Sequence, residues 1–403
     1  MVSLMQFLHF AENFEHTGNR ELISLSSVHL QHRTTELVDH MAQILILEAF
    51  YGGSHKQLID VLIKNLSEEE YDLLTIPAKK WHWCARMSAL HFAGRIPTTH
   101  RYRAIFCSSV LNLAELIGMR TDLASCRKIV YFHENQLCYP VRDSKERDVQ
   151  YGINQITSCL CADRVLFNSL YNMTSFLETI QSFLNVVPNM SFKGVRYRIA
   201  PKCDVLYFPV DFGNLSTRTS QMENGETKPL HIIWPHRWEH DKNPEQLVEA
   251  LLALQEKGVS FRISILGERF DTIPKCFETI EDQLTGKVIQ FGSLPREEYR
   301  RTLAEGDVVL STALHEFYGV AMLEAVYSGC VPLAPNRLVY PELYPSDKLF
   351  NTTAQLVKQL YNWCRNRALF EKHRDAFFSR INLDGYSAEQ LVPQFVAIIR
   401  DVT

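Results

Sequence analysis

The chain has 403 residues, 46% of them hydrophobic and 22% charged, an ordinary globular balance that excludes a largely disordered chain, a collagen-like repeat and a disulfide-stapled miniprotein. Lysine and arginine number 42 against 46 aspartates and glutamates, so the formal charge is −4. That excludes a wholly basic nucleic-acid coat but leaves room for a local basic face. Ten cysteines are scattered without a CxxC pair or a Cys/His run of zinc spacing, which reads as reduced thiols and points to a cytoplasmic or nuclear home. No run of 18 apolar residues suggests a membrane-spanning helix.

Residues 2–10 are apolar but lack a positive leader and a small-residue cleavage site, which argues against a signal peptide. Residues 1–40 read as a poorly ordered extension outside the fold. From residue 41 onward, short apolar runs alternate with helical patterns. Strands are expected at 44–47, 71–76, 104–107, 128–133, 164–167 and 205–208, with a helix at 56–66. Alternation of this kind implies parallel βαβ units. A polar stretch without period at 212–229 reads as a linker. Strands at 231–234, 262–266, 288–291, 308–311 and 331–334, with helices at 244–257, 297–304 and 319–328, repeat the logic. The fold class is therefore α/β. An N-terminal Rossmann-like domain is expected at 41–211 and a second at 230–384. A C-terminal helix at 385–403 would pack back on the first domain. Ligands of such sheets bind at the carboxyl ends of the strands, so the site falls in the cleft between the domains.

His315-Glu316-Phe317-Tyr318-Gly319 leads into a helix that carries Glu324. Eight residues of helix advance about 12 Å. Glu316 stands where it can accept hydrogen bonds from a sugar, and Glu324 from a ribose. The unpaired amides at the helix start suit the phosphates between them, and Gly319 admits a close approach. Paired acids at a helix start also suit a simple dipole match. Earlier, Trp234-Pro235-His236-Arg237 and Lys242-Asn243-Pro244 follow a strand, and Arg237 with Lys242 can neutralise a diphosphate, unless the loop is merely solvated. Gly52-Gly53 after the first strand admits a phosphate or forms a plain turn. No DxD pair ends a strand, so no metal is expected and no cofactor is called for.

The segment at 315–325 resembles the EX7E motif of family 4 retaining glycosyltransferases, which have the GT-B fold, two Rossmann-like domains facing across a cleft. The resemblance implies that Glu316, Phe317 and Gly319 face the donor sugar and Glu324 the ribose. It implies that Arg237 and Lys242 hold the departing diphosphate, that Gly52 and Gly53 lie near the donor phosphates, and that His133, at a strand end, stands beside the sugar. Front-face substitution is the implied mechanism, with the leaving phosphate accepting the acceptor's proton.

Residues 73–114 contain no aspartate or glutamate. Within them lie Lys79, Lys80, Arg86, Arg101 and Arg103, interleaved with Trp81 and Trp83. Cations that neutralise phosphates beside rings that stack on unpaired bases suit RNA, although a basic surface helix with buried tryptophans gives the same text. The segments at 46–57, 234–242 and 315–326 resemble the tRNA-queuosine mannosyltransferase family, and that resemblance covers roughly residues 41–400. It implies GDP-mannose as donor and, as acceptor, the cyclopentenediol of queuosine in the anticodon loop of tRNA(Asp). The extension at 1–40 and the shortness of the linker depart from that pattern. A hexosyltransferase acting on a lipid or polysaccharide, and a non-catalytic binding module, are the alternative readings. Five sequons, at Asn65, Asn172, Asn189, Asn214 and Asn351, would be modified only in the secretory pathway.

Overall fold

Strand β1 (Ile44–Tyr51) opens the structure with Ile44-Leu45-Ile46-Leu47, buried on both faces. Ile44 and Ile46 enter one core with Leu58, Ile59 and Leu62, while Leu45 and Leu47 enter another with Ala85, Ala89 and Phe92. A strand covered by helices on both sides needs an unbroken apolar run rather than an alternating one. The structure is a computed structural model that describes residues 43–139, 148–213, 215, 228–267 and 273–401. The extension at 1–40 and most of the linker at 212–229 lie outside the described residues.

The first domain continues with α1 (Gly53–Ile63), β2 (Tyr71–Pro77), α2 (Trp81–Ala93), β3 (Ala104–Ser108), α3 (Leu113–Met119), β4 (Arg127–Phe132), α4 (Val149–Cys161), β5 (Arg164–Phe167), α5 (Leu170–Leu184), α6 (Val195–Ile199) and β6 (Cys203–Val205). The second holds β7 (Leu230–Pro235), α7 (Pro244–Glu256), β8 (Phe261–Leu266), α8 (Ile280–Gln283), β9 (Val288–Gly292), α9 (Arg296–Glu305), β10 (Val308–Leu310), α10 (Val320–Tyr327), β11 (Val331–Pro335), α11 (Tyr340–Leu343), β12 (Leu349–Phe350), α12 (Thr353–Arg365) and α13 (Arg367–Phe378). The strand expected at 205–208 lies earlier, at Cys203–Val205: Leu206 N makes the last ladder bond, to the Phe167 carbonyl (2.9 Å), and beyond it the Phe208 carbonyl accepts from Tyr318 of the second domain and Val210 N donates to the Tyr386 carbonyl.

Both sheets have six parallel strands, in the orders β2-β1-β3-β4-β5-β6 and β12-β11-β10-β7-β8-β9. Strand order reverses between β1 and β3 in the first sheet and between β7 and β10 in the second. Doubly wound sheets open their ligand crevice outside the carboxyl ends of the strands at such a reversal. The loops after β1, β3, β7 and β10 are therefore the ones that meet a ligand.

The last helix, α14 (Ala388–Arg400), belongs to the first sheet's face. Its Phe395 ring lies 5.2 Å from Tyr131 and 6.4 Å from Phe106. Arg400 pairs with Glu70 at 2.8 Å, and Arg127 pairs with Asp401 at 3.0 Å. The domains also meet directly. Ser169 Oγ donates to the Phe317 carbonyl (2.7 Å), and Tyr318 donates its hydroxyl proton to the Phe208 carbonyl (2.8 Å). The Glu342 carboxylate accepts from the amides of Leu170 (2.9 Å) and Tyr171 (3.0 Å), so the second domain caps the N-terminus of α5.

All ten cysteines are free thiols. The sequon at Asn172 is closed to modification: its side chain is buried, donates to Asn168 Oδ1 (2.8 Å) and accepts from Asn135 Nδ2 (2.9 Å).

Candidate active site

The loop after β7 is shaped by its own sequence. Asn243 sits in the left-handed region (φ 53°), which asparagine tolerates better than most residues. Its side chain accepts from Gln246 N, and Pro244 supplies the first helical position of α7. That turn sends Lys242 inward rather than into solvent. The loop is stitched to the one after β10: Thr312 Oγ1 donates to the Lys242 carbonyl (2.8 Å), and the amides of Leu314 and His315 donate to the Asp241 carbonyl (2.8 and 3.2 Å).

Lys242 is buried. Its ammonium donates to the His315 carbonyl (2.9 Å) and faces Asp241 Oδ2 (3.1 Å) and Glu316 Oε2 (3.2 Å). Burial alone would lower the Lys242 pKa, but the Glu316 and Asp241 carboxylates reverse that and hold it above its ordinary value. Burial likewise pushes Glu316 up, and the Lys242 ammonium and the Tyr318 amide bring it below its ordinary value, so the carboxylate is ionised. Arg237, in contrast, is half-exposed and, among the described residues, pairs with Glu239 at 3.1 Å. Its guanidinium stands at the cleft surface.

Gly319 caps α10 at φ 83°, in the region where a side chain is strained, and a Cβ there would meet Glu316 Cγ at 3.6 Å. Glu324 lies further along α10 and accepts from the Tyr299 hydroxyl (3.0 Å); burial raises its pKa against that hydrogen bond. Phe317 is buried, with its ring 4.4 Å from His315.

The first domain answers with an ion-paired cluster. His55, in the first turn of α1, points one ring nitrogen at Glu48 Oε1 (3.2 Å) and the other at Glu134 Oε2 (3.4 Å). Glu48 Oε1 also accepts from Ser108 Oγ (2.9 Å) and the Phe50 amide (2.8 Å). Burial would lower the His55 pKa, yet the two carboxylates push it up to about 10, so the ring is an imidazolium. His133 stacks on it with centroids 3.9 Å apart. Burial, reinforced by the His55 charge, keeps His133 neutral, well below the ordinary histidine range. Gly52 is the N-cap of α1, whose first turn carries His55. A Cβ there would come 2.4 Å from Ala78 Cβ, so only glycine lets the two loops approach.

Among the described residues, Glu48, His55 and His133 are the group whose ligating atoms lie within 4.8 Å of one another. They do not suit a metal ion. Both His55 nitrogens face carboxylates as N–H donors, which leaves no lone pair to coordinate. Among the described residues, three buried histidine Nε2 atoms have no hydrogen-bond partner: those of His133 after β4, His236 after β7 and His315 after β10. Unsatisfied buried imidazoles gathered at strand ends mark a polar ligand site. His236 is pushed down to about 3 by burial and the Lys242 charge, and His315 to about 4 by the same causes, so both are neutral. Tyr139 reaches the other domain, its ring 5.0 Å from His315.

The structure brings Arg237, Lys242, Glu316, Phe317 and Gly319 together on one wall and Gly52, Gly53 and His133 on the other. Glu324 stands behind them on α10. His55, Glu48, Glu134, Ser108, His236, His315 and Tyr139 were not singled out from the sequence. All but Tyr139, seven residues past the end of β4, lie within a few residues of a strand's carboxyl end, which is their shared signal.

The basic set divides. Lys79, Lys80, Trp81 and Trp83 follow β2 on the cleft side, and Trp83 is 56% exposed. Trp81 instead packs on Tyr151 (4.8 Å), and Arg86 stacks over the same ring (4.7 Å) while pairing with Asp148 at 3.4 Å. Arg101 and Arg103 precede β3 and lie at the opposite end of the sheet, with Arg103 bonded to Gln43. A stretch without acids in sequence is not a surface without acids: Asp72 reaches His100 (2.8 Å) and Asp148 reaches Arg86.

Two facing doubly wound sheets with a cationic and acidic wall at the second domain's strand reversal define a GT-B glycosyltransferase. Solved structures share the fold. Sucrose-phosphate synthase from Thermosynechococcus elongatus superposes with a TM-score of 0.64 at 13% identity, covering 89% of this chain and 99% of its own. Anabaena HepE, in complex with UDP and glucose, gives 0.62 at 14% identity, covering 89% and 100%. The glycosyl transferases group 1 family matches residues 217–373, and the N-terminal domain of tRNA-queuosine alpha-mannosyltransferase matches residues 43–210. A Drosophila melanogaster protein named tRNA-queuosine alpha-mannosyltransferase is 56% identical over 361 residues, 88% of this chain and 96% of the relative. The chain belongs to the tRNA-queuosine alpha-mannosyltransferase family.

Proposed function

We propose that the enzyme moves mannose from GDP-mannose to the cyclopentenediol of queuosine in the anticodon loop of tRNA(Asp), with retention of configuration and without a metal ion, in the cytoplasm or nucleus. The observation that carries the catalytic part is the buried Lys242–Glu316 pair beside three histidines with unsatisfied Nε2 atoms. Lys242 and the half-exposed Arg237 supply the positive charge that a departing nucleoside diphosphate needs, and the amides that start α10 add to it. Glu316, held ionised, accepts hydrogen bonds from sugar hydroxyls, and Glu324 does so from the ribose. His133, neutral above the fixed His55 imidazolium, hydrogen-bonds the sugar without competing for its charge.

The chain's identity to the Drosophila melanogaster relative supports the acceptor. Lys79, Lys80 and Trp83, on the cleft side of the first sheet, give the RNA cations and a stacking ring. Among the described residues, no helix is long and apolar enough to cross a membrane.

Label transfer from GDP-mannose into tRNA(Asp) with and without queuosine tests this reading. Label in the queuosine-containing tRNA alone is expected. Label in both, or transfer only from another nucleotide sugar or to a lipid or polysaccharide, contradicts it.

A further inference from the structure

The end of the first domain away from the cleft carries a second cationic surface. Helix α5 leaves the cleft at Ser169, and its 15 residues span about 22 Å. The chain beyond it, residues 185–198, turns at Asn189 (φ 60°) and Gly194 (φ 74°) and enters the single turn and a half of α6. Val186, Met190 and Tyr197 here are exposed large apolar side chains, and Tyr197 is 81% exposed. A ring that open has no packing task in the fold.

The flanking cations are equally unoccupied. Lys193, Arg196 and Arg198 are exposed, and among the described residues none of them pairs with a carboxylate. Three other arginines of this domain are engaged, Arg120 with Asp122 (2.7 Å), Arg127 with Asp401 (3.0 Å) and Arg164 with Asp204 (3.0 Å), whereas Arg95 and Arg101 lie outside the 179–203 segment. Lys202 is spent on the carbonyls of Leu160 and Ala162 (3.0 and 2.5 Å). No aspartate or glutamate occurs from 179 to 203. In a chain of net charge −4, this concentration is local.

We propose that Lys193, Arg196, Tyr197 and Arg198 form a second RNA contact, which grips the body of the acceptor tRNA while its anticodon loop enters the cleft. This rests on the reading above that the acceptor is a tRNA. Charge selects the occupant: unpaired guanidinium groups on both sides of a free aromatic ring fit phosphates and a base or ribose face. α5 carries this surface about 22 Å from the cleft end, so it faces the stem or body rather than the nucleotide in the cleft.

The test is equilibrium binding of Arg196→Glu/Arg198→Glu, and separately of Tyr197→Ala, to full-length tRNA(Asp) and to its isolated anticodon stem-loop, over a range of salt. The charge-reversed variant is expected to bind the full-length tRNA roughly 10-fold more weakly and the stem-loop as wild type does. Its salt slope should fall by about one for each phosphate that the protein no longer neutralises. Thermal melts of both variants should match wild type, because the side chains are exposed. Unchanged affinity for full-length tRNA, or an equal weakening with both RNAs, overturns the proposal, and it leaves the surface to an acidic protein partner. If wild-type protein binds neither RNA, the acceptor reading itself fails, a result separable from failure of this surface alone.

Discussion

Lys242 and Glu316 meet at 3.2 Å in the wall of the cleft, one from the loop after β7 and the other from the loop after β10. The two strands are neighbours at the point where strand order reverses, so the pair exists only because the sheet is wound in both directions. Asp241 completes it at 3.1 Å, giving two carboxylates for one buried ammonium.

Removing the ammonium therefore costs stability as well as the charge that the proposed function assigns to it. Lys242→Ala leaves Asp241 and Glu316 facing each other without compensation, and we expect a loss of about 3 kcal/mol in stability. Urea unfolding followed by tryptophan fluorescence measures it. A change under about 1 kcal/mol would show that the pair is not buried in solution as it is here.

His55→Gln removes the cation between Glu48 and Glu134. The folded-state pKa of His55, about 10, lies above its ordinary 6.5. Its stabilising effect is then complete below about pH 6.5 and is lost as pH rises through 10. The stability gap between wild type and His55→Gln should be widest near pH 6, of the order of 3 kcal/mol, and should close steadily toward about pH 10. A gap that widens with pH would contradict the ion-paired assignment.

Gly52→Ala places a methyl 2.4 Å from Ala78 Cβ and must shift the loop below the cleft. We expect the donor KM to rise roughly 10-fold and the melting temperature to fall by a few degrees. Ala78→Gly in the same chain removes the opposing methyl and should restore most of both. Steady-state kinetics on the single and double variants decide it, and absence of rescue would place the cost elsewhere.

Trp83→Ala tests the proposed cleft-side RNA surface. The ring is 56% exposed, so stability should change by less than about 0.5 kcal/mol. Loss of a stacked base should raise the KM roughly 10-fold for full-length tRNA and for the anticodon stem-loop alike. Equal kinetics with and without the ring would take Trp83 out of the interface.

The parallel strands were legible because their runs are short, apolar and unbroken, as at residues 44–47 and 104–107, where both faces are covered. Helix α2 was not, since Trp83, Met87 and Leu90 lie exposed on the face opposite Ala85, Ala89 and Phe92 and blur the helical period. Glu316 and Lys242 stood out because each sits in a short contiguous segment. The His55 cluster did not, because its members come from residues 48, 55, 108, 133 and 134, which only the sheet order brings together. The same distance along the chain hid Asp148 from Arg86, so the basic stretch looked more open in sequence than it is in the fold.

The decisive measurement for the cleft is single-turnover transfer of labelled mannose from GDP-mannose into queuosine-containing tRNA(Asp) by wild type and by Glu316→Gln, an isosteric change that keeps the shape of the wall. We expect transfer by the variant to be at least roughly 1,000-fold slower with an unchanged thermal melt, because the proposed function sets Glu316 against the reacting sugar. Transfer within a few-fold of wild type by a folded Glu316→Gln protein would show that the reaction does not depend on this carboxylate, and would move the site out of this part of the cleft.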